Sequence, residues 1–372
     1  MFLKKYFSFF KSFDWSLFLI VFILISISLA IQYTLCLGLE QNDFTSFNHQ
    51  LIFAILGIAL FFLLSFIDYR NFKAHSHLLY FILLIILVLI LFIGITLRGT
   101  KGWLALGPFN FQAVELAKII LVISLAKFWS AKIKNGIYFK EIILSGLLVL
   151  PPFILVLLQP DFGSASILLA TWFLILLAID RKIKHLIWIL ILAALIFLST
   201  WNFLLKDYQK GRILTYLNPQ EDPFGRGYQI TQSIIAVGSG KLFGRGLGLG
   251  PQSQLRFLPQ TKTDFVFSVI AEEMGLAGVS LVLIFYLILF YRLMVLTKSA
   301  YDDFALILIL GFASIFIIQI VINIGMNMGM VPIVGIPLPL LSYGGSSLIT
   351  TLIMFGILES ILLHKTASVD NF

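Results

Sequence analysis

The sequence predicts an all-α polytopic membrane protein: a bundle of about ten transmembrane helices, with a long extracytoplasmic loop between helices seven and eight. Three observations predict it. Hydrophobic residues make up 60% of the 372 residues and charged residues only 12%, where a soluble domain carries about 25% charge. Apolar runs of bilayer-spanning length recur from end to end. Lysine and arginine concentrate in alternate short loops. With the bilayer as solvent, one bundle over 1–372 is a more natural unit than two soluble domains.

The runs fall at roughly 15–38, 51–67, 77–97, 112–129, 142–158, 164–179, 186–205, 265–294, 304–330 and 343–363. Each approaches or exceeds the ~20 residues that cross a ~30 Å core. The first follows Met1-Phe2-Leu3-Lys4-Lys5 with no small-residue cleavage site, and reads as a retained span. Only Gln159-Pro160-Asp161-Phe162-Gly163 separates the fifth from the sixth. Two spans joined by a tight turn, or one re-entrant pair, both fit there; the first keeps the charge alternation. The eighth run would be ~45 Å long as one helix, longer than the core. Its apolar part begins after Glu272-Glu273-Met274-Gly275, so its first turns are expected in or above the outer head-group layer.

Orientation follows from the basic residues. With the N-terminus inside, fifteen lie at cytoplasmic positions, from Lys4, Lys5 and Lys11 to Lys298 and Lys365, and only Arg98 and Lys101 in the short outer loops. Both termini are therefore expected in the cytoplasm, with the loop 206–263 outside. That loop is glycine-rich and carries Lys206, Lys210, Arg212, Arg226, Lys241, Arg245, Arg256 and Lys262 against Asp207, Glu221 and Asp222, a net of +5. An anionic ligand such as a pyrophosphate, or ordinary basic surface beside acidic lipids, accounts for it equally well. Topology and this loop absorb the positive charge, so nothing points to nucleic acid.

Ionisable residues within spans line cavities or pair with one another. Glu115 and Lys118, three apart, share a helix face: a packing ion pair or a substrate lining. Asp161 is an N-cap or a cavity group. Gln319, Asn323 and Asn327 recur every four residues, a stripe suited to interhelical hydrogen bonds. Thr263 or Asp264 caps the eighth helix, or Asp264 serves as a general base at the membrane surface. No Walker A sequence, Gly-x-Ser-x-Gly elbow or His-Glu-x-x-His pair is present. No nucleotide cofactor is expected. The five histidines are scattered, and the single Cys36 permits no internal disulfide.

Several stretches together resemble the SEDS family of cell-wall polymerases (shape, elongation, division and sporulation). They are Gly102-Trp103-Leu104-Ala105-Leu106-Gly107 to Gln112, Glu115-Leu116-Ala117-Lys118, Gln159-Pro160-Asp161-Phe162-Gly163 and Asp222-Pro223-Phe224-Gly225-Arg226-Gly227-Tyr228-Gln229. Gln232-Ser233, Phe257-Leu258-Pro259, Thr263-Asp264-Phe265-Val266-Phe267, Ala271-Glu272-Glu273 and the run Gly335 to Ser347 follow in order. Asn323-Ile324-Gly325-Met326, the run Met330 to Pro339 and short tails are similar to the elongation branch; Asn218-Pro219 leans toward the division branch.

The resemblance implies a glycosyltransferase that polymerises lipid II into glycan strands on the outer face of the bacterial cytoplasmic membrane, releasing undecaprenyl pyrophosphate. It implies Asp264 as the essential general base, with coordination of a divalent cation (magnesium or manganese) as a second role. Glu115, Lys118, Asp161 and Lys262 would surround the substrate, and Arg212 and Arg245 would contact the pyrophosphate. The implied partner is a class B penicillin-binding protein, a transpeptidase, alongside the lipid-linked glycan and membrane lipids. A lipid II flippase or a division-type polymerase are the competing functions. The chain departs from the family at Gln112-Ala113-Val114-Glu115, which lacks the usual proline, at Gly102 in place of arginine, and at Lys262 in place of histidine.

Overall fold

Each of the ten apolar runs is a helix. The computed structural model describes residues 13–37, 43–97, 99–107, 109–180, 182–204, 207–218 and 225–364. The first three spans are α1 (Trp15–Leu37), α2 (Thr45–Phe66) and α3 (Tyr69–Ile93). Strands β1 (Ile95–Leu97), β2 (Thr100–Leu106) and β3 (Phe109–Gln112) then lead into α4 (Ala113–Ser130), α5 (Phe139–Leu158), α6 (Phe162–Ile179) and α7 (Ile183–Ser199). The outer loop holds α8 (Asp207–Leu217), α9 (Arg226–Ser239) and α10 (Pro251–Gln254). The last spans are α11 (Val266–Ser299), α12 (Asp303–Asn327) and α13 (Gly345–Leu363).

Eight helices among the described residues are long and apolar enough to cross a membrane. The other two predicted spans are α4, which carries Glu115, Lys118 and Lys127, and α7, which has 17 residues. Aspartates start four of the helices, Asp14 accepting from the Ser16 and Leu17 amides of α1. Asp68 accepts from the Arg70 amide, Asp161 from Ser164 and Asp302 from Ala305, each taking an amide that the first turn leaves without a partner. Helices α12 and α13 are 72% buried over their most apolar stretches and α3 only 22%, so the last two spans form the centre and α3 the lipid-facing edge. Small residues bring the central helices close: a Cβ on Gly356 of α13 would fall 2.6 Å from the Phe61 carbonyl of α2.

The two ends of the bundle are chemically distinct. At one end the Asp14 amide donates to Glu359 Oε1 at 2.7 Å, and Arg292 Nη2 meets Asp14 Oδ2 at 2.5 Å. The start of α1, the end of α13 and the lower part of α11 therefore share a face. Lys73–Asp302 and Lys134–Asp303 pairs lie where α3, α4 and α12 meet on that face. The sheet, α9, α10 and residues 328–344 gather at the other end.

Four features differ from the prediction. Residues 95–112 are a three-stranded antiparallel sheet, so the protein is not wholly α; Leu104 pairs with Phe111 and Leu106 with Phe109 across a turn at Gly107, whose φ is +62°. Within the loop 206–263, residues 207–217, 226–239 and 251–254 are helical. The eighth span is broken at Gly275 (φ 64°, ψ −163°), and its first turns, Val266 to Glu273, are packed within the protein. The amides of Leu276 and Ala277, orphaned by the break, donate to the carbonyls of Lys241 and Leu242 at 2.9 and 3.0 Å.

Finally, residues 328–344 form an unwound segment that dips back into the bundle. Ile336, Leu338, Leu340 and Leu341 are buried, and Tyr286, midway along α11, donates to the Pro339 carbonyl at 2.6 Å. Non-helical backbone at that depth survives because protein groups satisfy it.

Candidate active site

Asp264 sits where the outer loop enters α11. The cap residue of that helix is Phe265, whose own side chain caps nothing. Cover comes from α12 instead: Ser268 donates to Asn327 Oδ1 through its amide at 3.1 Å and its hydroxyl at 2.6 Å. Asn327 and Asn323 in turn donate to the Asp264 carbonyl at 2.9 and 3.1 Å. Asn323 and Asn327 of the polar stripe on α12 thus make the bonds its spacing predicts and fix the Asp264 backbone, whereas Gln319 Nε2 is buried without a hydrogen-bond partner among the described residues. Gly335 of the re-entrant segment lies over the side chain; a Cβ there would be 3.6 Å from Asp264 Oδ2.

Asp264 and Asp161 line one cavity of about 140 Å³. Its walls are Thr100, Trp103 and Gln112 of the sheet, Val334 to Pro337 of the re-entrant segment, and Gly344 to Ser347 where α13 begins. The first amides of a helix have no intrahelical partner and favour anions, so the α13 start gives the cavity a partial positive charge. Ser342 and Tyr343 tie this wall to the Asp264 strand: Ser342 Oγ donates to the Thr263 carbonyl at 2.5 Å and the Tyr343 amide to the Lys262 carbonyl at 2.8 Å.

Asp161 is both of the things its sequence allowed. Its Oδ1 accepts from the Ser164 amide at 2.9 Å, capping α6, while Oδ2 accepts from Ser164 Oγ at 2.8 Å and Gln112 Nε2 at 3.0 Å. Burial pushes its carboxyl above the ordinary carboxylate range, against these hydrogen bonds. Two full spans meet in a tight turn here, the first of the two predicted arrangements.

Glu115 and Lys118 pair at 2.7 Å with side chains 4% and 2% exposed, and Thr350 Oγ1 donates to Glu115 at 2.9 Å. They stand behind the cavity wall rather than among its lining residues. Thr350 also donates to the Ser346 carbonyl, which connects the pair to that wall at 2.8 Å.

Lys262 lines a second outer cavity of about 510 Å³, with Arg256, Asp43 and Gln260. The two cavities share Thr263 and Tyr343 as a partition. Lys262 Nζ donates to Ser46 Oγ at 2.6 Å, and hydrogen bonds from Thr45 hold the Asp43 carboxyl below its usual value. Arg245 is exposed and lines neither cavity; its amide donates to the Glu272 carbonyl at 2.9 Å. Arg212 lies on α8, and its side chain falls outside the described residues.

Sequence reasoning left Glu272 and Glu273 without a role. Glu272 accepts from the amides of Gln252 and Ser253 at 2.8 and 3.0 Å, and Glu273 from Thr34 and Gln254, both at 3.1 Å. They clamp the glycine-rich loop onto α11 and α1. The adjacent acids, placed just before a glycine and far from any basic partner in sequence, were the available signal.

Comparison with known proteins agrees with this architecture. The family model for cell cycle proteins of the FtsW/RodA/SpoVE type matches residues 11–367. Stage V sporulation protein E of Bacillus subtilis is 37% identical over 327 residues, covering 86% of this chain and 88% of that protein. Peptidoglycan glycosyltransferase MrdB of Escherichia coli K12 is 38% identical over 311 residues, covering 83% and 84%. A chain of a solved peptidoglycan synthase complex, described as coordinating polymerization and crosslinking, superposes with a TM-score of 0.77 at 35% identity, covering 95% of this chain and 98% of that one. With nearly its full length matched and these motifs in order, the chain belongs to the FtsW/RodA/SpoVE cell cycle protein family, the family also called SEDS.

Proposed function

We propose that this protein is a peptidoglycan glycosyltransferase that polymerises lipid II on the outer face of the cytoplasmic membrane, with Asp264 as general base. The observation that carries the reading is the placement of Asp264. It stands in a confined polar cavity at the end of the bundle opposite both termini, on a backbone fixed by Asn323 and Asn327. Relatives named peptidoglycan glycosyltransferases support the reaction class. The concentration of basic residues supports an orientation with the termini in the cytoplasm and Asp264 outside.

In the reaction, the 4-hydroxyl oxygen of an acceptor sugar attacks the anomeric carbon of the donor. The carbon–oxygen bond to undecaprenyl pyrophosphate breaks, its electron pair leaves with the pyrophosphate, and the hydroxyl proton passes to an Asp264 oxygen. A base held within hydrogen-bond reach of that proton contributes about 10²–10⁴-fold. The leaving group becomes more negative, and the α13 start together with the basic outer loop, including Lys262, Arg256, Arg245 and Arg212, supplies compensating charge.

A divalent cation fits the donor set. Magnesium binds through one or two carboxylates plus substrate phosphates, and Asp264 and Asp161 line the same cavity. Such an ion would neutralise charge on the departing pyrophosphate. Among the described residues no group of three or more His, Cys, Asp or Glu gathers, so any ion relies on substrate oxygens to complete its shell.

The motif run from Asn323 to Pro339 supports the elongation branch of the family over the division branch. The likeness to a chain of a complex that couples polymerization to crosslinking supports a class B penicillin-binding protein as partner.

Purified protein with that partner, lipid II and magnesium or manganese tests the proposal. Glycan chains are expected from the native protein, with a loss of about 10²-fold or more in Asp264→Asn. Equal polymer from both would remove Asp264 from the chemistry. No polymer from either, with lipid II carried across vesicles, would favour the flippase.

A further inference from the structure

Far from Asp264, a furrow of about 470 Å³ runs between α5, α6 and α7. Ile142, Gly146, Phe153, Trp172, Trp188 and Leu195 are among its lining residues, none of which is charged. The Trp172 indole is already satisfied: Trp172 Nε1 donates to Ser145 Oγ at 2.9 Å, and that hydroxyl donates to the Ile142 carbonyl at 2.9 Å. A pyrophosphate would find no cation among these lining residues. Trp188 and Leu195 are each more than half exposed, so the furrow opens sideways to the bilayer. From Phe139 to Phe153 it follows α5 for ~21 Å, more than the ~15 Å of one hydrocarbon leaflet. Gly146 makes the room; a Cβ at that position would reach within 3.4 Å of the Trp172 ring.

Charge distinguishes the two ends of the furrow. α5 and α7 both start at the face that carries the chain termini, and Lys140, Lys182 and Lys184 are exposed there. Lys182 Nζ donates to the Ile137 carbonyl at 3.2 Å and lies 5.7 Å from the Tyr138 ring, holding the α7 start to the α5 start. Trp188 packs against Phe139 at 5.6 Å between ring centres, above that junction. The acids facing the same end are Glu141, half-buried, and Asp180, which accepts from the Lys182 amide. An apolar slot with cations at its cytoplasmic mouth is complementary to an amphiphile whose anionic head stays on that side. The lipid-linked substrate is excluded by the same asymmetry, because its pyrophosphate sits at the opposite face.

We propose that this furrow is a binding site for an anionic phospholipid of the cytoplasmic leaflet. One acyl chain occupies the slot from Phe139 toward Phe153, and the phosphate lies among Lys140, Lys182 and Lys184. Each lysine near such a head group contributes about 1 kcal/mol. Lipid is chosen over a partner's helix because the lining is uncharged and exposed lysines gather where α5 and α7 begin.

Tryptophan quenching tests it, since Trp172 and Trp188 line the slot. The full chain in phosphatidylcholine vesicles is titrated with phosphatidylglycerol or phosphatidylcholine brominated along the acyl chain. Brominated phosphatidylglycerol is expected to quench at lower mole fraction, with the excess reduced in Trp188→Phe and absent when Trp172→Phe is added. Lys140→Gln with Lys184→Gln is expected to weaken this preference roughly thirtyfold, and Gly146→Leu to abolish it. Equal quenching by the two lipids overturns the proposal. So does an undiminished preference in the lysine variant, whose exposed changes leave the fold intact should Gly146→Leu fail to fold. A photo-crosslinker at Leu195 that captures a polypeptide and no phospholipid in intact membranes also overturns it.

Discussion

At the scale of single residues, the site is held by groups far away in sequence. Asn327 joins Asp264 to α12 and takes the Ser268 amide, so Asn327→Ala strips that amide of its partner and leaves the Asp264 carbonyl to Asn323 alone. The expected loss is about 1–3 kcal/mol, read as a lower unfolding temperature, with kcat falling while KM is retained because the cavity walls stay in place. Glu115 and Lys118 form a buried pair, and removing one charge strands the other. Lys118→Met is expected to destabilise by about 3–5 kcal/mol, while Glu115→Gln with Lys118→Met recovers much of this. Thermal unfolding in detergent distinguishes the two. Asp161 carries a raised carboxyl, so its protonated form is favoured in the folded state. Stability from this group is present at low pH and is lost as pH rises from about 4, the unfolded value, through the raised folded value. Asp161→Asn should lack that slope, which unfolding measured over a pH series checks. The spacing of Glu115 and Lys118 predicted their pairing, and the four-residue stripe predicted hydrogen bonding from Asn323 and Asn327. That the stripe grips Asp264 could not be read, because a local period names a helix face and not the loop it meets.

At the scale of elements, apolar period and length located every span, since a bilayer demands helices of fixed length. What escaped were the departures from regular helix. Gly275 looked like an ordinary glycine inside a long run, yet its φ of 64° and ψ of −163° belong to a region essentially reserved for glycine. A Cβ there would also lie 2.7 Å from the Leu242 carbonyl group. Gly275→Ala is therefore expected to cost on the order of 3 kcal/mol and to lift the glycine-rich loop from α11, seen as faster proteolysis of residues 240–250. The unwound segment 328–344 advertised itself through Pro332, Gly335, Pro337 and Pro339, but not its inward course. That course depends on partners such as Tyr286 and Asn323, each supplied by another helix. The sheet of 95–112 was hidden because strands of three to seven residues give too short an alternation to separate from loop.

At the scale of the whole molecule, the topology is open to a direct check. In a Cys36→Ser background, Arg245→Cys is expected to react with a membrane-impermeant maleimide added outside intact cells, and Lys134→Cys only after the membrane is opened. The reverse pattern would invert the protein and remove Asp264 from the outer face. Orientation and span number were legible because they are one-dimensional properties of charge and hydropathy. The cavity was not, because its walls come from the sheet, the α5–α6 turn, the start of α11 and the start of α13. That last wall has a temporal meaning. Gly344 to Ser347 open α13, which is made after every other wall of the cavity, and Ser346 Oγ accepts from the Gln112 amide at 3.0 Å across the site. A nascent chain can thus insert nine spans and still present no enclosed chamber. The enclosed chamber forms only once α13 has been made, and an abortive product ending before it would occupy the membrane without consuming precursor.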